Sequence, residues 1–500
     1  MTKRILCVMV LLACASPLLA STYYVATTGS DSAAGTIDNP FRTIPKAVTV
    51  SVAGDTIYVR GGTYTLASTI TISKSGTASA RCSLLAYPGE RALLDFSSMA
   101  TSGSNRGIKL NGSYWYVRGF DIYRAGDNGM IVAGSNNIIE FCSFFENRDT
   151  GLQLSNGASN NQVLNCDSYN NKDTTEGNAD GFAPKLDVGT GNSFFGCRSW
   201  QNSDDGWDGY LRPSNNISTT IENCWSFHNG YLKDGSPSIG NGNGFKMGGS
   251  DNRDLEHNMF LFRCLAFDNR VKGFDQNNNR GSMTLVNCSG FRNGTNYSIS
   301  LTLDSGKTLA LTNCLVLGPL GSIGSFAAET TDSWIAPLHA DTVDFASIDT
   351  SGVTGPRQPD GSLPDLPFMH LAQGSDLIDA GTYDGFPYYG TAPDIGCFEY
   401  NPADFVEADH ELPSSVRLEQ NYPNPFNPST TIQYKLSHGA HVTLVIYNVL
   451  GQEVLRLVDQ HQNAGSHTAQ MNANHLPAGV YFYRLQVDRA ALVRSMMLIK

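Results

Sequence analysis

The sequence predicts an all-β protein: a parallel β-helix solenoid followed by a small antiparallel β-sandwich. Three observations carry this. A motif, Cys-x-x-aromatic-x-Asn, recurs six times, beginning at Cys142, Cys166, Cys197, Cys224, Cys264 and Cys288. Its cysteines lie 24, 31, 27, 40 and 24 residues apart, which suits a coil of fixed core length with insertions in its loops. Composition agrees: 50 glycines, 41% hydrophobic and 10% aromatic residues but only 16% charged ones favour many short strands joined by turns.

In chain order, residues 1–20 read as a secretory signal, with Lys3 and Arg4 ahead of an apolar run and Pro17-Leu-Leu-Ala20 behind it. Residues 21–65 read as an N-terminal cap. A strand, Thr22–Ala26, leads through a loop to a short helix over Ala47–Ala53 and a strand and turn over Asp55–Tyr64. A solenoid needs such a cap because its open end would expose unpaired strand edges.

Each repeat then makes one coil, stacked about 4.8 Å from the next, so equivalent residues form columns. Cysteine and the aromatic residue three places later are expected to point inward. The asparagine five places after the cysteine is expected at a turn, where stacked amides satisfy the bend backbone. The cysteines are expected to be free thiols packed as small apolar groups, because stacked coils hold their Cβ atoms farther apart than a disulfide prefers. Cys314 continues their column, residues 320–400 are looser, and the solenoid domain runs over 21–400 with a polar linker at 401–414.

A second phrase follows each asparagine turn: Gly151-Leu-Gln153, Gly181-Phe-Ala183, Gly206-Trp-Asp208, Gly244-Phe-Lys246 and Gly273-Phe-Asp275. The residue after glycine points in, so the next one points out. The outward column therefore reads Gln153, Ala183, Asp208, Lys246, Asp275, and the column before the glycines reads Thr150, Asp180, Asp205, Asn243, Lys272. Four carboxylates converge: Asp180, Asp204, Asp205 and Asp208. A single Asp-Gly is only a good turn, but four acids in two adjacent coils repel one another without a cation. Oxygen ligands on turns suit Ca²⁺. Lys246, one coil above Asp208, reads either as a lysine paired with that aspartate or as a base, and an unshifted lysine near pKa 10.4 is a poor base at neutral pH.

Asn178-Ala-Asp-Gly-Phe182, Asn202-Ser-Asp-Asp-Gly-Trp-Asp208 and Asn241-Gly-Asn-Gly-Phe-Lys-Met-Gly-Gly249 resemble the signature of polysaccharide lyase family 9 pectate lyases. That resemblance implies a right-handed helix and Ca²⁺ held by Asp180, Asp204, Asp205 and Asp208. It implies Lys246 as the base that takes the C5 proton of α-1,4-polygalacturonate in a β-elimination, with calcium bridging the aspartates and the substrate carboxylate. Lys185 and Tyr210 share the outward face and, with Arg212 and Lys272, are candidates for contact with the pectin chain. The loop Tyr231–Gly240 is expected to wall the cleft.

Residues 415–500 form a separate module. Leu418-Glu-Gln-Asn-Tyr-Pro-Asn-Pro-Phe-Asn-Pro428, Gly451-Gln-Glu-Val454 and Gly479-Val-Tyr481 resemble the C-terminal sorting domain of the type IX secretion system. This implies that machinery as a partner and a secreted or surface-attached monomer. The net charge of −12 excludes general binding to nucleic acid or an anionic membrane. Three rivals keep the scaffold. One is a lyase for another uronate polymer. Another is a polygalacturonase-type hydrolase, in which Lys246 has no task. The third is a non-catalytic glycan-binding solenoid.

Overall fold

The computed structural model describes residues 20–402 and 416–498, apart from 359, 387, 425, 437, 449–451, 478 and 488–489. The expected signal segment, but for residue 20, and most of the expected linker lie outside the described residues. Contacts divide the chain into Met1–Tyr400 and Asn401–Lys500.

The first unit is a three-sided parallel β-helix. A 12-stranded sheet runs from Thr22–Val25 to Ala328–Thr330. Two 10-stranded sheets run from Gly62–Thr65 to Leu315–Leu317 and from Ile70–Ile72 to Gly321–Ile323. We call these the first, second and third sheets. Every strand pairs in parallel with its equivalent one coil away, for example Ile138–Glu140 with Gln162–Leu164. The cap helix spans Ile44–Val50, three residues earlier than expected. Thr43 caps its first turn by accepting from the Lys46 amide, and Pro45, whose fixed φ suits the first turn, stands there too.

Each coil bends on single left-handed residues. One precedes the cysteine (Asn165, Asn223, Asn287) and one precedes the asparagine (Glu146, Asn170, Gln201, His228, Asp268, Arg292), all at φ of 50–56°. Among the described residues, nine cysteines are free and buried. Within their column a backbone N–H faces the next sulfur, as Cys197 N to Cys224 Sγ at 3.3 Å. The asparagine ladder runs unbroken: Nδ2 of Asn147, Asn171, Asn202, Asn229 and Asn269 each donates to Oδ1 of the next member at 2.8–3.0 Å.

The motif's aromatic residue corrects the expectation. An offset of three from cysteine is odd, so a strand turns it outward, and Phe144, at the even offset, enters the core instead. Phe145, Tyr169, Trp200, Phe227 and Phe267 stack on the outer face of the second sheet, with ring centroids 4.3–5.5 Å apart. From Trp200 onward the stack is covered by Phe345, Phe368, Met369, Leu377 and Ile395, giving residues 338–400 their own apolar cluster. Arg198 pins this covering segment, donating to Val353 O and Gly355 O at 2.9 Å while pairing with Asp167 at 2.7 Å.

The second unit pairs a three-stranded sheet (Arg417–Leu418, Ser429–Leu436, Gly465–Asn472) with a four-stranded one (Ala440–Asn448, Glu453–Gln462, Gly479–Val487, Ala490–Leu498), all antiparallel. Its core holds Ile432, Tyr434, Leu444 and Tyr483. Among the described residues no helix is long and apolar enough to cross a membrane.

Candidate active site

The site stands on the outer face of the third sheet and on the turns leading into it. The inward residues of four glycine phrases, Phe182, Trp207, Phe245 and Phe274, form an aromatic column that Tyr297 continues, with centroids 4.8–5.3 Å apart. The glycines are required by the tight stacking of these turns. A Cβ on Gly206 would lie 2.0 Å from Ser226 Oγ and 2.6 Å from Gly244 O.

With the aromatic column fixed, the register follows. Trp207 pairs with Phe245 and Asp208 with Lys246, while Phe182 pairs with Trp207, which sets Asp180 beside Asp205. Lys246 is buried, with Nζ 3.1 Å from Asp205 Oδ2 and 3.3 Å from Asp208 Oδ1. Lys185 is buried as well, 2.6 Å from Asp180 Oδ2 and 3.4 Å from Asp208 Oδ2. Charges therefore alternate along one line: Asp205, Lys246, Asp208, Lys185, Asp180. Oxygens of Asp180, Asp204 and Asp205 all lie within 4.8 Å of one another. Asp208 stands apart from that triad, held by the two lysines and by the Tyr210 amide at 3.1 Å.

The electrostatics separate the acids. Burial pushes Asp180 up to about 7, with Asp208 and Asp205 adding to the rise against Lys185. Burial likewise pushes Asp204 up to about 9, with Asp205 and Asp180 adding to it. Asp205 is also raised by burial, against Lys246. Burial would raise Asp208 too, but Lys246 and Lys185 overcome it and hold its carboxyl below the usual range. Burial disfavours the charged form of Lys246, yet Asp208 and Asp205 outweigh this and keep its amine well above the ordinary lysine value.

A divalent cation fits the triad. Its donors are all hard oxygens, its acids are too crowded to ionise together without a counter-charge, and the buried Asp205 Oδ2 has Lys246 Nζ, at 3.1 Å, as its one close partner among the described residues. Asn243 Oδ1, one coil on in the same column, is a buried acceptor with no hydrogen bond.

These groups open into a cleft of about 450 Å³ whose lining includes Lys185, Asp204, Asp208, Tyr210, Arg212 and Lys246. Tyr210 and Arg212 are tied to Asp251, each at 2.6 Å. Lys272 is paired with Asp275 at 2.9 Å and is not among the lining residues. No residue of the loop Tyr231–Gly240, expected to wall the cleft, is among the lining; Asn241 at its foot is, and its amide donates to Asp204 Oδ1 at 2.5 Å. The loop's Ile239 amide donates to Glu176 in the preceding insertion at 3.2 Å, so the two long insertions touch.

The cleft also takes in residues that the motif reading passed over: Arg106, Asp127, Asn128 and Asp149. The signal for them was present. Gly107-Ile108-Lys109 and Gly129-Met130-Ile131 are earlier copies of the glycine phrase without an aromatic ring. Strand pairing then sets Arg106 and Asn128 in the column of Thr150, Asp180 and Asp205.

Fold and site together define a parallel β-helix protein with a cation-seeking carboxylate cluster and two buried amines on the floor of a groove. A family model described as the Pel9A-like, right handed beta helix region matches residues 23–308. Pectate lyase L of Dickeya chrysanthemi is 40% identical over 392 residues, covering 76% of this chain and 90% of that protein. Pectate lyase PEL9 of Emericella nidulans is 35% identical, covering 72% and 94%. Among solved structures, that of pectate lyase Pel9A superposes with a TM-score of 0.70 at 39% identity, covering 76% of this chain and 96% of its own. A rhamnogalacturonan lyase gives 0.63 at 27%, covering 72% and 98%. The chain belongs to the Pel9A-like family of right-handed β-helix proteins. Residues 420–500 match a secretion system C-terminal sorting domain, which indicates export.

Proposed function

We propose that the protein is a calcium-dependent pectate lyase that cleaves α-1,4-polygalacturonate by β-elimination. The observation that carries this reading is Lys246 Nζ, buried on the cleft floor between Asp205 and Asp208 and beside the carboxylate triad. Asp180, Asp204 and Asp205 hold the calcium ion, with Asp208 joining them or orienting the lysines. When bound, calcium neutralises the uronate carboxylate and so makes the C5 proton more acidic.

Lys246 Nζ, in its neutral form, accepts the C5 proton. The C5–H electron pair becomes the C4=C5 double bond, the C4–O bond breaks, and the leaving oxygen takes a proton from solvent. Asp205 and Asp208 hold the amine in place and, by raising its pKa, make alkaline conditions favourable for turnover. Lys185 offsets the charge of Asp180 and Asp208 and borders the substrate. Tyr210 and Arg212 contact the chain at the rim, and Lys272 acts through Asp275. The sorting domain hands the enzyme to the type IX machinery for release or surface attachment, as a monomer.

The test is the ultraviolet absorbance of an unsaturated product on pectate. It should vanish with chelator, return with added calcium, and fall about 10²–10⁴-fold in Lys246→Ala. Products that are purely saturated would replace the lyase with a hydrolase. The similarity to a rhamnogalacturonan lyase favours one second reading, a substrate in which galacturonate alternates with another sugar. Parallel assays on the two polymers separate these.

A further inference from the structure

The groove continues well beyond the acid cluster, toward the N-terminal coils. Strand pairing counts five steps from Lys246 back to the coil of Arg106: Phe245, Trp207, Phe182, Leu152, Met130 and Ile108 are successive partners. At about 4.8 Å per coil this spans about 24 Å. On the C-terminal side, the next outward residue, Asp275, is already engaged by Lys272.

Arg106 differs from Lys185 and Arg212, two other cations of the groove. Lys185 donates to Asp180 and Arg212 to Asp251 at 2.6 Å each. Arg106 Nε faces Asp127 Oδ2 at 3.3 Å, but neither buried atom makes a hydrogen bond. Among the described residues none accepts a hydrogen bond from the Arg106 guanidinium. Its side chain is 28% exposed and lines the groove. A guanidinium held by charge alone keeps its terminal N–H groups available, and their planar fork matches a carboxylate. The neighbouring amide is not available in this way, since Asn128 Nδ2 donates to Gln153 Oε1 at 3.1 Å.

We propose that Arg106 reads the carboxylate of a uronate unit in a distal subsite on the N-terminal side of the cleavage point, with Asp127 as its positioning residue. This rests on the uronate-lyase reading of the same groove. A polymer lying along the helix axis reaches Arg106 only when it extends several units past Lys246. Arg106 then strengthens binding of long chains without entering the chemistry at C5.

The experiment compares the full-length enzyme with Arg106→Ala and Arg106→Lys on oligogalacturonates of increasing length, from the trimer upward. A charge-assisted hydrogen-bond pair in a partly wet groove is worth about tenfold in affinity. The loss in Arg106→Ala should grow with chain length, reach about tenfold in kcat/KM through KM, and be partly restored by lysine, which keeps the charge but loses the fork. The same series is run as calorimetric binding in a Lys246→Ala background, where no turnover is needed. Length-dependent weakening there supports the subsite whatever the chemistry at Lys246. An equal loss at every length makes Arg106 a structural residue, and no loss at any length removes the subsite; either outcome overturns the proposal. Thermal unfolding of each variant identifies a folding defect, and the lysine variant decides the case if alanine proves unstable.

Discussion

Asn202 joins the scaffold to the site, and its replacement by alanine tests how firmly the ladder fixes the aspartates. Its Oδ1 accepts from Asn171 N at 3.2 Å and Asn171 Nδ2 at 2.8 Å. Its Nδ2 donates to Ser168 O, Ser199 Oγ and Asn229 Oδ1 at 3.2, 2.9 and 3.0 Å. Asn202→Ala strands the Asn171 N–H, whose acceptor is that Oδ1, in a fully buried bend. One stranded donor costs about 1–3 kcal/mol. Asn171 Nδ2 keeps Phe144 O and Ser168 Oγ, and Asn229 Oδ1 keeps the Asn202 amide, so the other lost bonds cost less, about 0.5–1 kcal/mol each. The sum is about 3–7 kcal/mol. Asp204 and Asp205 follow two and three residues later, so calcium affinity should fall with stability. Denaturant unfolding by tryptophan fluorescence measures the first and calorimetric titration with calcium the second. A cost under about 1 kcal/mol with unchanged calcium affinity would refute the ladder as the element that places the acids.

Two further outcomes are expected. His257 is buried with Nδ1 2.7 Å from Gly209 O and Nε2 2.8 Å from Thr219 Oγ1, and burial lowers its pKa to about 4. Below pH 6.5 the unfolded chain binds a proton there that the folded chain does not, so folded stability falls as pH drops from 6.5 to 4, by about 2–3 kcal/mol at pH 4.5. Urea midpoints should show that this part of the pH dependence disappears in His257→Gln, and an unchanged slope would remove His257 as its source. Phe227→Ala, beneath the covering segment, should cost about 3–5 kcal/mol, and Phe145→Ala, on the half-buried part of the same stack, clearly less. Equal losses by chemical unfolding would mean that residues 338–400 add nothing to the stack.

The solenoid was legible because a one-dimensional fold repeats its sequence. Cysteine, asparagine and glycine each meet the same neighbour in every coil, so a pattern of three residue types reveals the stacking. The pairing of Asp208 with Lys246 follows from the same count, although 38 residues separate them. Orientation across a strand was harder. The motif's aromatic residue looked like core because aromatics usually are, and the partner that makes its outward position dry, residues 338–400, carries no repeat. The burial of Lys185 could not be read either. Its position on the outward face was visible, but its contact with Asp180 depends on the path of a single turn. Arg106 escaped because its coil precedes the first Cys-x-x-aromatic-x-Asn copy at Cys142, so no ladder asparagine marked the glycine phrase beside it.

The insertions also separate two properties that most folds tie together. From ladder asparagine to phrase glycine the chain takes four residues in the coils of Asn147, Asn202 and Asn269, but ten after Asn171 and fifteen after Asn229. The surplus enters at one corner, and the strands on either side keep their partners. Height of the groove's rim is thus set by loop length and position of its floor by coil count, and neither disturbs the other. A shortened insertion after Asn171, whose Gly177 and Asn178 line the groove, would widen access to bulkier or branched chains with the charged floor left in register. Such a scaffold can change its diet by trimming a corner.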